Sequence, residues 1–133
     1  MKSYLLDTSI IISYLQGKND IVKLLNNIEG ELTSSYVCLA ELYEEIIRVR
    51  NRLEAEKSVT DFFKSLSELF EVDKKVAKQF GEIRAKLKMG GKVIEDIDIF
   101  IAATCLVYDL TLITHNVKHF SRVDNLKIFS LEK

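Results

Sequence analysis

Acids and amides stand at the ends of this chain's apolar runs. Asp7 halts the run Tyr4-Leu5-Leu6, and Asn116 follows the strand-like run Leu110-Thr-Leu-Ile-Thr114. Glu41 lies in the second turn of one amphipathic stretch, while Asp96 and Asp98 open another that is almost wholly apolar. Oxygen atoms placed at such points can meet a ligand at the carboxyl edge of a sheet, provided the elements carrying them point the same way. The competing reading is local. Asp is among the best N-cap residues, and a helix dipole favours acids in the first turn. Asp96 fits that role well. Asp98 fits it less well, because residues 97, 99–103 and 105–107 wrap apolar side chains around the helix axis. A carboxylate inside that wrapping is costly unless a cation or hydrogen bonds compensate. Glu41 has the weakest claim from pattern. On a helical wheel it points away from the apolar stripe, beside Glu44, Glu45 and Arg48, where a solvated face is the default; only its nearness to the helix start favours it.

The elements that must position these residues follow from periodicity. The run at 4–6 is apolar without alternation, as in a strand of a parallel sheet buried on both faces. Thr8 and Ser9 then favour a helix start, so Asp7 marks the junction. Short helices are expected at 10–15 and 21–28, and a strand at 31–35. Longer amphipathic helices are expected at 36–50 and 53–66, a strand at 69–72, and a helix at 75–88 that closes at Met89-Gly90-Gly91. The apolar helix at 96–108, a strand at 110–114 and a last strand at 126–131 complete the chain. Five strands separated by helices describe a three-layer α/β/α domain with a mostly parallel sheet, and residues 1–133 form one domain. Helices in such folds run antiparallel to the strands, so strand C-termini and helix N-termini share an edge. Asp7, Glu41, Asp96 with Asp98, and Asn116, from four separate segments, are therefore delivered to one rim.

Composition narrows the class. With 133 residues, 47% hydrophobic and 29% charged, the chain reads as an ordinary globular protein able to bury roughly two-thirds of its unfolded surface. A net charge of −1 gives no global pull toward nucleic acid or membrane. The two cysteines, Cys38 and Cys105, sit in apolar helical patterns and read as buried thiols in a reducing compartment. No Cys/His spacing suggests zinc. No segment has the length of a membrane span, and the first apolar run is too short for a secretory signal, so a cytoplasmic protein is expected.

Four stretches, in this order and spacing, carry a resemblance: Tyr4-Leu-Leu-Asp-Thr-Ser-Ile10, Ser34-Ser-Tyr-Val-Cys-Leu-Ala-Glu-Leu42, Asp98-Ile-Phe-Ile-Ala-Ala103 and Leu112-Ile-Thr-His-Asn-Val-Lys-His-Phe120. Over essentially its whole length the sequence resembles a PIN-domain ribonuclease of the VapC toxin type. The resemblance implies a metal-dependent endoribonuclease that leaves 5′-phosphate ends, a homodimer, and a cognate VapB-like antitoxin that blocks the site. It matches Asp7, Glu41 and Asp98 to the family's acids, and Asn116 to a fourth position that is often Asp.

In that reading Asp7 and Asp98 are direct metal ligands, and Glu41 is a ligand or orients the attacking water. Asn116 positions a water or a phosphate oxygen, and Thr114 supports the site by hydrogen bonding. Crowded carboxylates cannot all stay ionised without a cation, and hard oxygen ligands select Mg²⁺ or Mn²⁺. Neither histidine is expected to bind the metal: His119 is expected to pack at the domain edge, and His115, beside Asn116, is only a candidate for a substrate phosphate contact. Arg48, Arg50, Arg52, Arg84, Lys86, Lys88 and Lys92 are candidates for guiding RNA by phosphate contacts, although such charges are usually solvated helix faces.

Two other classes compete. A receiver-like phosphoacceptor domain would use Asp7, Asp73 and Thr114. It would, however, need one short crossover where about 34 residues lie between the second and third strands, and it lacks both a second acid beside Asp7 and a lysine ending the fifth strand. A catalytically silent PIN-like adaptor would show no divalent-metal binding near Asp7, and the receiver would take phosphate from acetyl phosphate.

Overall fold

The computed structural model describes residues 2–131. Its elements run β1 (Ser3–Leu6), α1 (Thr8–Leu15), α2 (Asn19–Asn27), β2 (Glu31–Ser35), α3 (Tyr36–Arg48), α4 (Arg52–Lys64), β3 (Glu68–Phe70), α5 (Lys74–Met89), α6 (Asp96–Tyr108), β4 (Thr111–Ile113) and α7 (Val117–Phe120). The sheet order is β3-β2-β1-β4, and every pairing is parallel. β1 is therefore an inner strand with neighbours on both sides, which is why its residues 4–6 are apolar without a break.

Side chains alternate across the sheet. Leu5 and Leu112 point into a core shared with α5, α6 and α7. Tyr4, Leu6 and Ile113 point the other way, into a core with α1, α2, α3 and α4. The three-layer α/β/α arrangement expected from the sequence is thus the one observed.

One strand is corrected. The segment at 126–131 was expected to be a fifth strand, yet it meets the sheet only at an isolated parallel bridge between Leu112 and Ile128. Two hydrogen bonds hold it there, from Leu112 N to Lys127 O (2.9 Å) and from Phe129 N to Leu112 O (2.8 Å). The reason lies in its neighbours: β4 is only three residues long, and Asn125 turns the chain with a φ of 68° just before the bridge. Nothing is left for a longer ladder to pair with. The short helix α7 went unforeseen.

α6 is the apolar centre of one layer. Ile99, Ile101, Ala102, Ala103, Thr104 and Cys105 are all buried, and Phe100 stacks on Phe80 of α5 with ring centroids 4.1 Å apart. The helix ends where Asp109 adopts a left-handed conformation, φ 55°. Both cysteines are buried and free. Burial pushes the Cys38 thiol up to about 11 and raises that of Cys105 as well, so both stay protonated and serve as packing.

Candidate active site

Asp7 is the best-tethered acid in the molecule. It is 3% exposed and caps α1, its Oδ1 accepting hydrogen bonds from Ile10 N (3.1 Å) and Ser9 Oγ (2.6 Å). Its Oδ2 accepts one from the hydroxyl of Thr114, beyond the end of β4. The capping and functional readings are therefore not alternatives: one oxygen caps, the other ties two sheet-edge segments together. Burial pushes this carboxyl above its ordinary value of 3.8; the bonds from Ser9, Thr114 and Ile10 and the charge of His115 pull it back only in part.

Glu41 comes to the same rim from α3, which starts directly after β2 with Ser35 as its cap. It is half-buried, and its Oε1 accepts a 2.5 Å hydrogen bond from Thr8 Oγ1. Burial raises its pKa, Thr8 opposes, and the charges of Asp7, Glu95 and Glu44 add to the rise. Asp98, also half-buried, is pushed up to about 6, first by burial and then by the charges on Glu41, Glu95 and Asp7; His119 lowers it. Asp7, Glu41 and Asp98, from three separate elements, thus lie within reach of one another's charge.

The remaining expectations divide. Asn116 is exposed, its side chain caps nothing, and its backbone N donates to Thr114 Oγ1 at 2.9 Å. It flanks the acids without a hydrogen bond to them. Asp96 is not the cap of α6: that position belongs to Glu95, which makes no side-chain cap bond. The Asp96 carboxylate is instead drawn sideways to α5, where Arg84 Nε lies 3.0 Å away. Arg48 is paired with Glu44 (2.7 Å) and Lys86 with Asp124 (2.6 Å), all exposed. These pairs leave Arg48, Arg84 and Lys86 less free to guide RNA.

Three participants escaped the sequence reading. Glu95 acts on both Glu41 and Asp98, and its spacing of three from Asp98 on a helical face was the available signal. Ser9 bridges Asp7 to the loop after β4 by accepting from His115 N at 3.2 Å. Thr8 fixes Glu41 through a contact 33 residues away in sequence, which no local pattern carries.

The PIN domain family model matches residues 4–126. The chain belongs to the PIN-domain family. Ribonuclease VapC2 of Rickettsia felis is 30% identical over 98% of each chain. Ribonuclease VapC1 of Methanocaldococcus jannaschii is 33% identical over 96% of this chain and 84% of its own. The fold matches a chain in the crystal structure of VapBC2 from Rickettsia felis bound to a DNA fragment from its promoter. That match has a TM-score of 0.88 and 25% identity, covering 96% of this chain and 97% of that one. The VapC-type PIN fold also disposes of the receiver reading, whose second acid is taken: Asp73 caps α5 and binds the Tyr108 hydroxyl.

Whether this PIN domain's residues suit a metal can be asked of its donors. They are carboxylate oxygens, with no thiol or imidazole among them, the chemistry of a hard divalent cation. Among the described residues no three such side chains are gathered as they would be about a bound ion; Glu41 is turned to Thr8, and Asp7 to Ser9 and Thr114. The set fits by type and charge, and a cation would offset the burial and like charges that hold the Asp98 carboxyl up.

The raised Asp98 carboxyl, held up first by burial and then by like charges, predicts a stability effect. A carboxyl at about 6 in the fold and 3.8 unfolded binds its proton more tightly when folded, so stability falls as pH rises through that window. Asp98 is half exposed, and after solvent screening the cost is about 1 kcal/mol at pH 7. Asp98→Asn is expected to raise the metal-free melting temperature by about 4 °C at pH 7 and to lose most of that gain at pH 4. Thermal unfolding in EDTA checks it; a lower melting temperature for the variant would mean that the α6 dipole outweighs the burial and repulsion together.

Proposed function

We infer that this chain is a divalent-metal-dependent endoribonuclease, the toxin of a toxin–antitoxin pair, cutting RNA phosphodiester bonds by attack of water. One observation carries the reading. Asp98 is held near pH 6 by burial and by acids from two other elements plus Glu95, at the carboxyl edge of a PIN fold. Perturbed carboxyls clustered this way mark functional sites. The curated relatives named above are ribonucleases, which supports RNA as substrate.

Asp7 and Asp98 would hold Mg²⁺ or Mn²⁺, with Glu41 joining them or orienting the attacking water. The ion supplies charge stabilisation and a more acidic water when bound. Every other contribution belongs to the chain. Ser9, Thr114 and the Ile10 amide fix the Asp7 carboxylate. Thr8 holds Glu41 until a stronger partner competes for it. The exposed Asn116 amide can donate to a phosphate oxygen or a water without adding negative charge.

Partners and compartment belong to the same proposal. No helix among the described residues is long and apolar enough to cross a membrane, and we place the reaction in the cytoplasm. A VapB-like antitoxin and a second copy of the chain are the expected partners. In support, VapBC2 is the solved relative's own assembly, and Tyr36, Tyr43, Ile47, Val49 and Leu53 leave apolar surface exposed on and beside α3.

Structured RNA incubated with the purified chain is expected to be cut with Mg²⁺ or Mn²⁺, leaving 5′-phosphate ends. Excess EDTA should stop the reaction, and added Mn²⁺ should restore it. Cleavage undiminished in EDTA would refute the metal assignment.

A further inference from the structure

Beside the acid rim lies a cavity of about 300 Å³ that the chemistry above does not use. Its walls are Asp20, Ile21 and Leu24 of α2, together with His115, Phe129, Ser130 and Leu131. A second hollow continues it, sharing His115 and Phe129 and reaching Thr114. Thr114 is the residue whose hydroxyl holds Asp7. One residue therefore separates the carboxylate at the reaction centre from the cavity wall.

The walls are set in advance. The His115 backbone N donates to Ser9 Oγ, and its ring Nε2 lies 3.0 Å from the hydroxyl of Ser13, a residue only 4% exposed. Phe129 packs edge-on against Tyr4, with ring centroids 5.9 Å apart and an interplanar angle of 83°. Two ring systems thus stand ready before any ligand arrives, which lowers the ordering cost of binding.

The lining chemistry selects the ligand. Among the described residues no Lys or Arg lines either hollow, so none of them would offset the Asp20 carboxylate facing a phosphate group. A flat heterocycle fits this lining: its faces can stack on the rings of His115 and Phe129, and its N–H edge can donate to Asp20. An ionised carboxylate only accepts hydrogen bonds. Guanine, which offers an imino and an amino donor side by side, suits it best, and uracil, flanked by carbonyls, suits it least.

We propose that this cavity is the subsite for an unpaired base next to the scissile phosphate, with guanine preferred through Asp20. That the ligand is part of an RNA rests on the ribonuclease reading above. The test that does not depend on cleavage is a titration of the ¹⁵N-labelled full chain, in EDTA, with the four ribonucleoside 5′-monophosphates. The phosphate is common to all four, so differences between them report the base.

Amide shifts at Asp20, His115 and Phe129 are expected, with the guanine nucleotide binding tightest and the uracil one weakest. Asp20→Asn should weaken the guanine nucleotide roughly tenfold and draw the four together. In parallel, sequencing the ends of cut RNA should show guanine enriched at one position beside the cut, an enrichment that Asp20→Asn flattens. Absence of shifts at these amides, or equal shifts unaltered in Asp20→Asn, overturns the subsite. If the parent cleaves RNA while these amides stay still, only the subsite has failed. If the nucleotides bind in the stated order but no RNA is cut, the ribonuclease reading has failed and the base site stands.

Discussion

Asp98→Ala is expected to lower the single-turnover rate of RNA cleavage at saturating Mn²⁺ by at least about 100-fold, while Asp96→Ser stays within about threefold of the parent. The two acids are two residues apart, about 200° around a helix, and cannot face one point. The structure separates them as that angle requires. Asp98 is near enough to Glu41 and Asp7 to feel their charges. Asp96 is exposed and paired with Arg84 on α5, a surface contact of the kind that contributes little. Removing Asp98 strips one of two acids proposed to hold the ion, and no neighbour on its own helix face replaces it except Glu95, which is exposed. Circular dichroism of both variants controls for folding. Should Asp96→Ser prove folded yet as inactive as Asp98→Ala, the assignment of the metal-holding acid would have to move to Asp96.

Gly30→Ala is expected to cost about 3 kcal/mol and to lower the melting temperature by about 10 °C. Gly30 sits at φ +136°, and a Cβ there would lie 2.6 Å from the backbone oxygen of Lys2 and 2.8 Å from Tyr4 Cε2. The same Lys2 oxygen accepts the hydrogen bond from Glu31 N at 2.9 Å, where β2 begins alongside β1. A backbone acceptor cannot swing aside like a side chain, so the added methyl must displace the end of the ladder that carries Asp7. Gly17→Ala is the control. Gly17 also has positive φ, +74°, but nothing lies within 4 Å of its Cβ position, so backbone strain alone applies, about 1 kcal/mol or roughly 4 °C. Equal losses in the two variants, measured by thermal unfolding, would show that the close approach at Gly30 contributes nothing.

What was legible in the sequence is what neighbouring residues decide between themselves. Tyr4-Leu5-Leu6 read as an inner parallel strand because both faces had to be apolar, and α6 read as a buried helix for the same reason. Asp7 read as an acid at a strand-to-helix junction because Thr8 and Ser9 follow it. The errors came where distant segments decide. Asp96 looked like a cap until Arg84, twelve residues earlier, offered it a cation. The segment at 126–131 looked like a strand, but β4 gives it only Leu112 to pair with. Glu41 looked solvated on its own helix, since the hydroxyl that binds it comes from α1 and the acid it repels comes from α6. A helical wheel sees none of these.

The inner position of β1 also sets an order in time. It pairs with β2 early in the chain and with β4 only near the end, and the bond from Thr114 to Asp7 spans 107 residues. Synthesis delivers the N-terminal half first, and contacts so distant in sequence form late. Until β4 has emerged, Asp7 lacks the hydroxyl that fixes its second oxygen, and Leu6 and Leu5 lack the strand that covers one edge. Chains truncated at residue 110 are expected to be inert in the cleavage assay even though they carry all three acids. The site is thus completed only when the last strand of the sheet has been added.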